Sequence, residues 1–207
     1  MTYFMKFFTK NEIIGVLVIL LLILVLTGFN LRISLRRSRD AQRRADVNDI
    51  VNALDKYQKD FGFFPPSSDD GKIIACKGAN FGTIPSDIKD ENRRGYFINM
   101  LRGCDWGDDS LRDVGDDTYQ AYLNRIPRDP KADEGLAYFY ISDMNTFQLY
   151  AYLEGGKTEE GFRRGIIERN LQCGNRVCNF GKAYGETPLE ISLQEYENEV
   201  SKGNAQK

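Results

Sequence analysis

The run FTKNEIIGVLVILLLILVLTGFNL (residues 8–31) decides how the rest of this chain is read. No charged residue lies between Glu12 and Arg32. As a helix rising 1.5 Å per residue, the apolar stretch covers about 28 Å, close to the hydrocarbon core of a bilayer. It has no polar face, so it does not suit a helix lying in the membrane interface. It is longer than the apolar core of a secretory signal, usually about 7–15 residues. No small-x-small cleavage site follows it either; the next residues are Asn30, Leu31, Arg32 and Ile33. The reading is a retained membrane helix.

After the apolar run, residues 32–44 (RISLRRSRDAQRR) are dense in charge and contain neither Pro nor Gly. Beyond them Val47, Ile50, Leu54, Tyr57 and Phe61 recur at spacings of three and four, the apolar stripe of an amphipathic helix. Asp46, Asp49, Asp55, Lys56 and Lys59 are assigned to the opposite face. Gly62 suits a left-handed C-terminal stop, and Pro65-Pro66 forbids continuation. One helix of about fifty residues is expected. Its first half lies in lipid and its second half lies against a soluble domain. Glu12, just inside the apolar run, is costly there. It either snorkels to the interface or pairs with a positive charge from another subunit.

The spacing Phe8-Thr9-x-x-Glu12 ahead of an apolar helix resembles the N-terminus of the type IV pilin and type II secretion pseudopilin family. The resemblance implies a short leader removed by a prepilin peptidase, methylation of the new amine on Phe8, and neutralisation of a neighbour's amine by Glu12 as helices pack. Lys6 matches the basic leader, whereas Phe7 stands where the family has Gly. Phe64-Pro65 is similar to the family's helix end. Residues 119–130, closing in Pro127-Arg128-Asp129-Pro130, are similar to its Pro-x-Asp-Pro segment; Lys131-Ala132 replaces the usual Trp-Gly. The likeness covers roughly residues 8–153.

The residues themselves read LAYFYI (136–141) and TFQLYAYL (146–153) as a hairpin about a turn at Ser142, Asp143, Met144 and Asn145. Phe147, Leu149, Ala151 and Leu153 alternate with Thr146, Gln148, Tyr150 and Tyr152, the period-two pattern of a strand. Pro127 to Pro130 reads as a rigid turn that ends a helix before a strand, with Asp129 bonding backbone amides. Residues 179–184 suit either a further strand or a closing loop. From Glu186 the chain is polar, with a short exposed helix expected near residues 192–200.

Four cysteines allow three pairings. Cys76 with Cys104 and Cys173 with Cys178 are preferred over a zinc site, since only the second pair approaches knuckle spacing. Disulfides place the domain in an oxidising, extracytoplasmic space. The positive-inside rule points the other way, because Arg32, Arg36, Arg37, Arg39, Arg43 and Arg44 follow the apolar run. The cysteines and the family resemblance outweigh it. These arginines are expected to face lipid headgroups.

The net charge of −2 offers no broad basic surface, so nucleic acid is not an expected partner. The acidic residues 105–117 (DWGDDSLRDVGDD) invite a calcium reading, but their order is not that of an EF-hand loop, and a solvated loop with Trp106 as a packing anchor is simpler. No cofactor is expected beyond that open question of calcium. The absence of histidine removes Ser-His-Asp, Cys-His and HExxH chemistry, and no phosphate-cradling glycine motif is present, so no enzyme is expected.

The expected architecture is α+β. Residues 1–7 form a leader-like segment, 8–31 a transmembrane helix, 32–61 the amphipathic half of that helix, 62–185 an extracytoplasmic globular domain with a small antiparallel sheet, and 186–207 a polar tail. The expected function is a structural filament subunit whose partners are membrane lipid, other pilin-like subunits and a prepilin peptidase. Its tyrosine-rich sheet is expected on the outer surface. The alternative is an unprocessed, membrane-anchored assembly or binding module that never enters a filament.

Overall fold

The structure, a computed structural model, describes residues 9–83, 85 and 88–205. Helix α1 (Lys10–Phe61) is a single element of 52 residues. The chain divides into two units between Arg39 and Asp40.

The first unit is the N-terminal part of α1. Its large apolar side chains from Ile14 to Leu35 are each 46–64% exposed, so no described residue covers them. By length and composition this helix can cross a membrane.

The second unit, from Asp40 onward, is α+β. A three-stranded antiparallel sheet has the order β3 (Phe139–Ser142), β4 (Phe147–Ala151), β7 (Phe180–Ala183). Tyr140 faces Leu149 across the hairpin, and Leu149 in turn faces Lys182. Asp143 makes the hairpin turn by accepting the amides of Asn145 and Thr146, both at 2.8 Å. Two small hairpins flank this sheet. One pairs β1 (Ile74–Lys77) with β2 (Leu101–Gly103), which follows helix α2 (Asp90–Asn99). The other pairs β5 (Gln172–Cys173) with β6 (Arg176–Val177) after the short helix α3 (Arg164–Glu168). Helix α4 (Leu193–Ala205) ends the described chain.

The stripe of α1 forms the core as its periodicity predicts. Val47, Ile50, Leu54 and Tyr57 are buried, and Phe61 packs against them. They meet Phe64, Tyr138, Tyr140, Phe147 and Leu149 from the loop and sheet. Gly62 stops the helix at φ +77°, donating its amide to Gln58 at 2.8 Å. Gly174, at φ +73° between β5 and β6, has no substitute: a Cβ there would lie 2.0 Å from the Gly135 carbonyl oxygen.

Four expectations are corrected. Strand β4 is buried along its whole length, so the alternation at Gln148 and Tyr150 does not mark an outer face. A second cluster of Tyr150, Ile166, Cys173, Cys178 and Leu189 covers the far side of the sheet. Tyr140 and Tyr150 in the sheet, and Tyr138 just ahead of it, offer no outer surface either: Tyr138 and Tyr140 are buried in the core with α1, and Tyr150 in the second cluster. The segment from Glu186 is not all tail, because Thr187, Leu189 and Leu193 are buried. The Gln148 amide donates to the Pro188 and Ile191 carbonyls and so straps that segment down. Finally, residues 119–126, which lead into Pro127, form no helix; Leu123 instead bridges Leu111.

Candidate functional site

Two groups of residues carry the functional question, one in each unit. At the start of α1, Glu12 accepts the Thr9 amide at 2.6 Å, and the Thr9 hydroxyl lies 3.4 Å from the Glu12 amide. This is a reciprocal N-terminal cap: Thr9 and Glu12 satisfy backbone donors that a helix end leaves open. The spacing T-x-x-E is itself the signal for such a cap. Phe7 and Phe8, the other residues of the expected processing motif, lie outside the described residues.

The second group surrounds Arg43. This arginine was expected to face lipid headgroups with its neighbours, yet it is fully buried. Its Nε and Nη2 donate to the two oxygens of Asp129 at 2.7 and 2.9 Å, a bidentate fork. Nη1 donates to Asp40 and to Glu154, both at 2.8 Å. The carboxylates are held in turn. Asp40 accepts the Glu154 and Gly155 amides at 2.9 Å, and Asp129 accepts the Lys131 amide at 2.8 Å. Asp129 therefore does bond the turn backbone as expected, but its larger task is to hold the guanidinium. Burial alone would lower the Arg43 pKa; the hydrogen bonds to Asp129, Glu154 and Asp40 outweigh it and raise it. The group is a permanently charged tie between helix, Pro-bounded turn and the end of β4. With four hydrogen bonds already made, Arg43 has little capacity left for a ligand.

The stripe that predicted the core also carried this signal. Asp40 and Arg43 continue the series of Val47, Ile50, Leu54 and Tyr57 backwards at spacings of three and four, on the same face. Charge hid it: Arg43 was assigned with its neighbouring arginines to lipid headgroups, and Asp40 was given no role. Asp46 was assigned outward on the same grounds and is likewise buried, accepting the Tyr138 hydroxyl at 2.6 Å.

Asp46 gives a pH-dependent prediction. Burial raises its pKa, and the hydrogen bond from Tyr138 offsets that only in part. The folded protein therefore holds this proton more tightly than the unfolded chain does. The resulting stability is present below the ordinary carboxylate value and is lost as pH rises through the folded one. Asp46→Asn is expected to gain stability relative to wild type as pH rises from about 4 towards neutrality. Urea unfolding of both proteins across that range checks it; a constant difference would refute it.

The cysteines are paired as 76 with 104 and 173 with 178. The first bridge ties β1 to the chain leaving β2, and the second closes the β5–β6 hairpin over the sheet. In the acidic stretch, Asp105 pairs with Lys72, Asp109 with Arg102 and Asp117 with Lys77, each at 2.8 Å. Trp106 packs edge-on against Tyr138, with ring centres 5.7 Å apart. Asp109 is the only described carboxylate grouped with cysteine sulfurs, and those sulfurs are consumed in the 76–104 bridge.

Comparison with protein-family models, curated proteins and solved structures returns no match.

Proposed function

We propose that the protein is a structural subunit of a filament of the type IV pilus or type II secretion kind, stored in a membrane by α1. The observation that carries this reading is the uncovered apolar surface of α1 from Ile14 to Leu35. Such a surface demands either lipid or the helices of other subunits. Glu12 stands at its start, and the α+β unit with its inward stripe supplies a soluble body. The two disulfides favour an extracytoplasmic location for that body. In this reading a prepilin peptidase removes residues 1–7, the Phe8 amine is methylated, and Glu12 neutralises the amine of a neighbouring subunit.

Glu12→Ala tests the pairing. Membrane insertion should survive, and incorporation into filaments should fall about tenfold or more, the equivalent of one well-placed charge contact in lipid. Unchanged incorporation would sink the charge-pair role.

A second reading, a permanently anchored assembly or binding module, is favoured by a specific observation. Glu12 already has a partner in its own chain, the Thr9 amide that precedes α1. Phe7 at the expected cleavage position agrees with it. An intact mass of the native membrane protein separates the two: a chain starting at Phe8 supports the filament subunit, and one starting at Met1 supports the anchored module.

A further inference from the structure

The three-stranded sheet has one covered edge and one bare one. Beyond β3, the Tyr140 amide donates to the Gly71 carbonyl at 2.9 Å and the Ser142 amide to the Ser67 hydroxyl at 3.2 Å. Beyond β7 the cover begins and then stops. The Asn179 carbonyl accepts the Arg163 amide at 2.9 Å, but residues 159–162 turn away, Phe162 donating to Glu159. Tyr184, just past β7, donates towards β4, to Phe147 at 3.1 Å. Successive residues of an antiparallel strand serve opposite edges, so Gly181 and Ala183, like Asn179, turn their N–H and C=O groups outward. Among the described residues nothing bonds to these four groups.

They line a cleft of about 590 Å³ that is also lined by Arg44 and Asn48 of α1. Gly181 is buried and Ala183 half-buried, so the four groups are less well solvated than those of an open strand edge. The side of the edge away from α1 is apolar. Gly181 pairs there with Tyr150, and Leu189 Cδ2 lies 3.3 Å from the place a Cβ on Gly181 would take. Lys182 points to the opposite side with its cross-strand partner Leu149, which packs in the core with α1. Arg44 stands on that side too and reaches Glu159 at 3.5 Å. Arg163 is neutralised by Glu190 at 3.0 Å, and Glu160 is the only acid that lines the cleft.

We propose that this cleft takes an extended strand of another protein, added to β7 as a fourth strand, with acidic side chains towards α1 and apolar ones on the far side. Unpaired backbone donors and acceptors at two-residue intervals select polypeptide in extended form over a compact ligand. Arg44 and Lys182 select carboxylates at alternate residues, and Leu189 selects apolar side chains between them. A second copy of β7 is a poor occupant. Antiparallel pairing of Gly181 with the copy's Ala183 would set Lys182 directly opposite its own counterpart. A shift to Gly181 against Gly181 would bring Ala183 to Asn179, whose carbonyl already serves Arg163. The site stands independently of whether the chain enters a filament.

The experiment titrates the full chain in detergent micelles with the peptide acetyl-Glu-Val-Glu-Val-Glu-Val-amide and reads amide hydrogen exchange at Gly181 and Ala183 by NMR. Controls are the Lys-Val counterpart and a Glu-Val peptide N-methylated at every other residue, which cannot complete the ladder. The Glu-Val peptide should slow exchange at both amides, and each control should bind at least about tenfold more weakly. Ala183→Pro removes one outward N–H without touching the bonds to β4 and should weaken binding about tenfold. Lys182→Glu, at an exposed side chain, should turn the preference towards the Lys-Val peptide at unaltered thermal unfolding. Unchanged exchange at Gly181 and Ala183, equal binding of the methylated peptide, or a Glu-Val preference that survives Lys182→Glu overturns the proposal. So does protection of the two amides by raised protein concentration alone, which would make a second copy the occupant.

Discussion

Arg43→Met should destabilise the folded unit by about 3–5 kcal/mol, the cost typical of removing one partner from a buried ion cluster. The variant keeps the volume of the side chain but leaves Asp40, Asp129 and Glu154 without their shared cation. Asp40 and Asp129 are wholly inaccessible, and the Glu154 side chain is only 15% exposed, so water cannot substitute. Arg43→Lys should fall between the two, because an ammonium restores the charge but cannot reproduce the fork on Asp129. Trp106, the sole tryptophan, packs on Tyr138 within this unit and provides a fluorescence signal for urea unfolding. A loss below about 1 kcal/mol in Arg43→Met would mean that the cluster does not hold the fold.

Removing the Cys76–Cys104 bridge by paired alanine substitution should cost about 3.5 kcal/mol. The bridge closes a loop of 28 residues in sequence separation, and the loss of unfolded-chain entropy grows with the logarithm of that length. The Cys173–Cys178 bridge closes a separation of only 5, for which the same relation gives about 2 kcal/mol. The ordering of the two losses in denaturant midpoints is therefore the sharper test. A larger loss from the shorter loop would show that burial of Cys173 and Cys178, both fully inaccessible, outweighs the chain-entropy contribution.

The elements most legible in the sequence were those written in periodicity. The apolar run, the stripe through Val47, Ile50, Leu54 and Tyr57, the Gly62 stop and the hairpin about Asp143 each follow from residues a few positions apart. The β1–β2 hairpin with its intervening α2 was not legible, since β2 has only three residues and its pairing depends on a bridge to a distant strand. The outer cover of the sheet was missed because a strand buried on both faces loses its alternation in burial while keeping it in sequence. At the candidate site, polarity hid Arg43 and Asp40: a charged residue is assigned to solvent unless its partners are seen, and here they are 86 and 111 residues away. The Thr9 and Glu12 cap was local enough to read, but the cost of an acid in lipid drew attention to intersubunit pairing first.

The wide separation of the groups around Arg43 sets a timetable for the chain as it is made. Asp40 accompanies Arg43 within the same helix, but Asp129 arrives much later and Glu154 later still. Until Glu154 and the amides of Glu154 and Gly155 are available, the guanidinium and the Asp40 carboxylate remain hydrated, and the inner face of α1 cannot close over them. Strand β7, which completes the sheet beneath, is later again in the chain. The N-terminal part of α1 is thus made well before the unit that follows it can lock, and that unit matures late as one cooperative step.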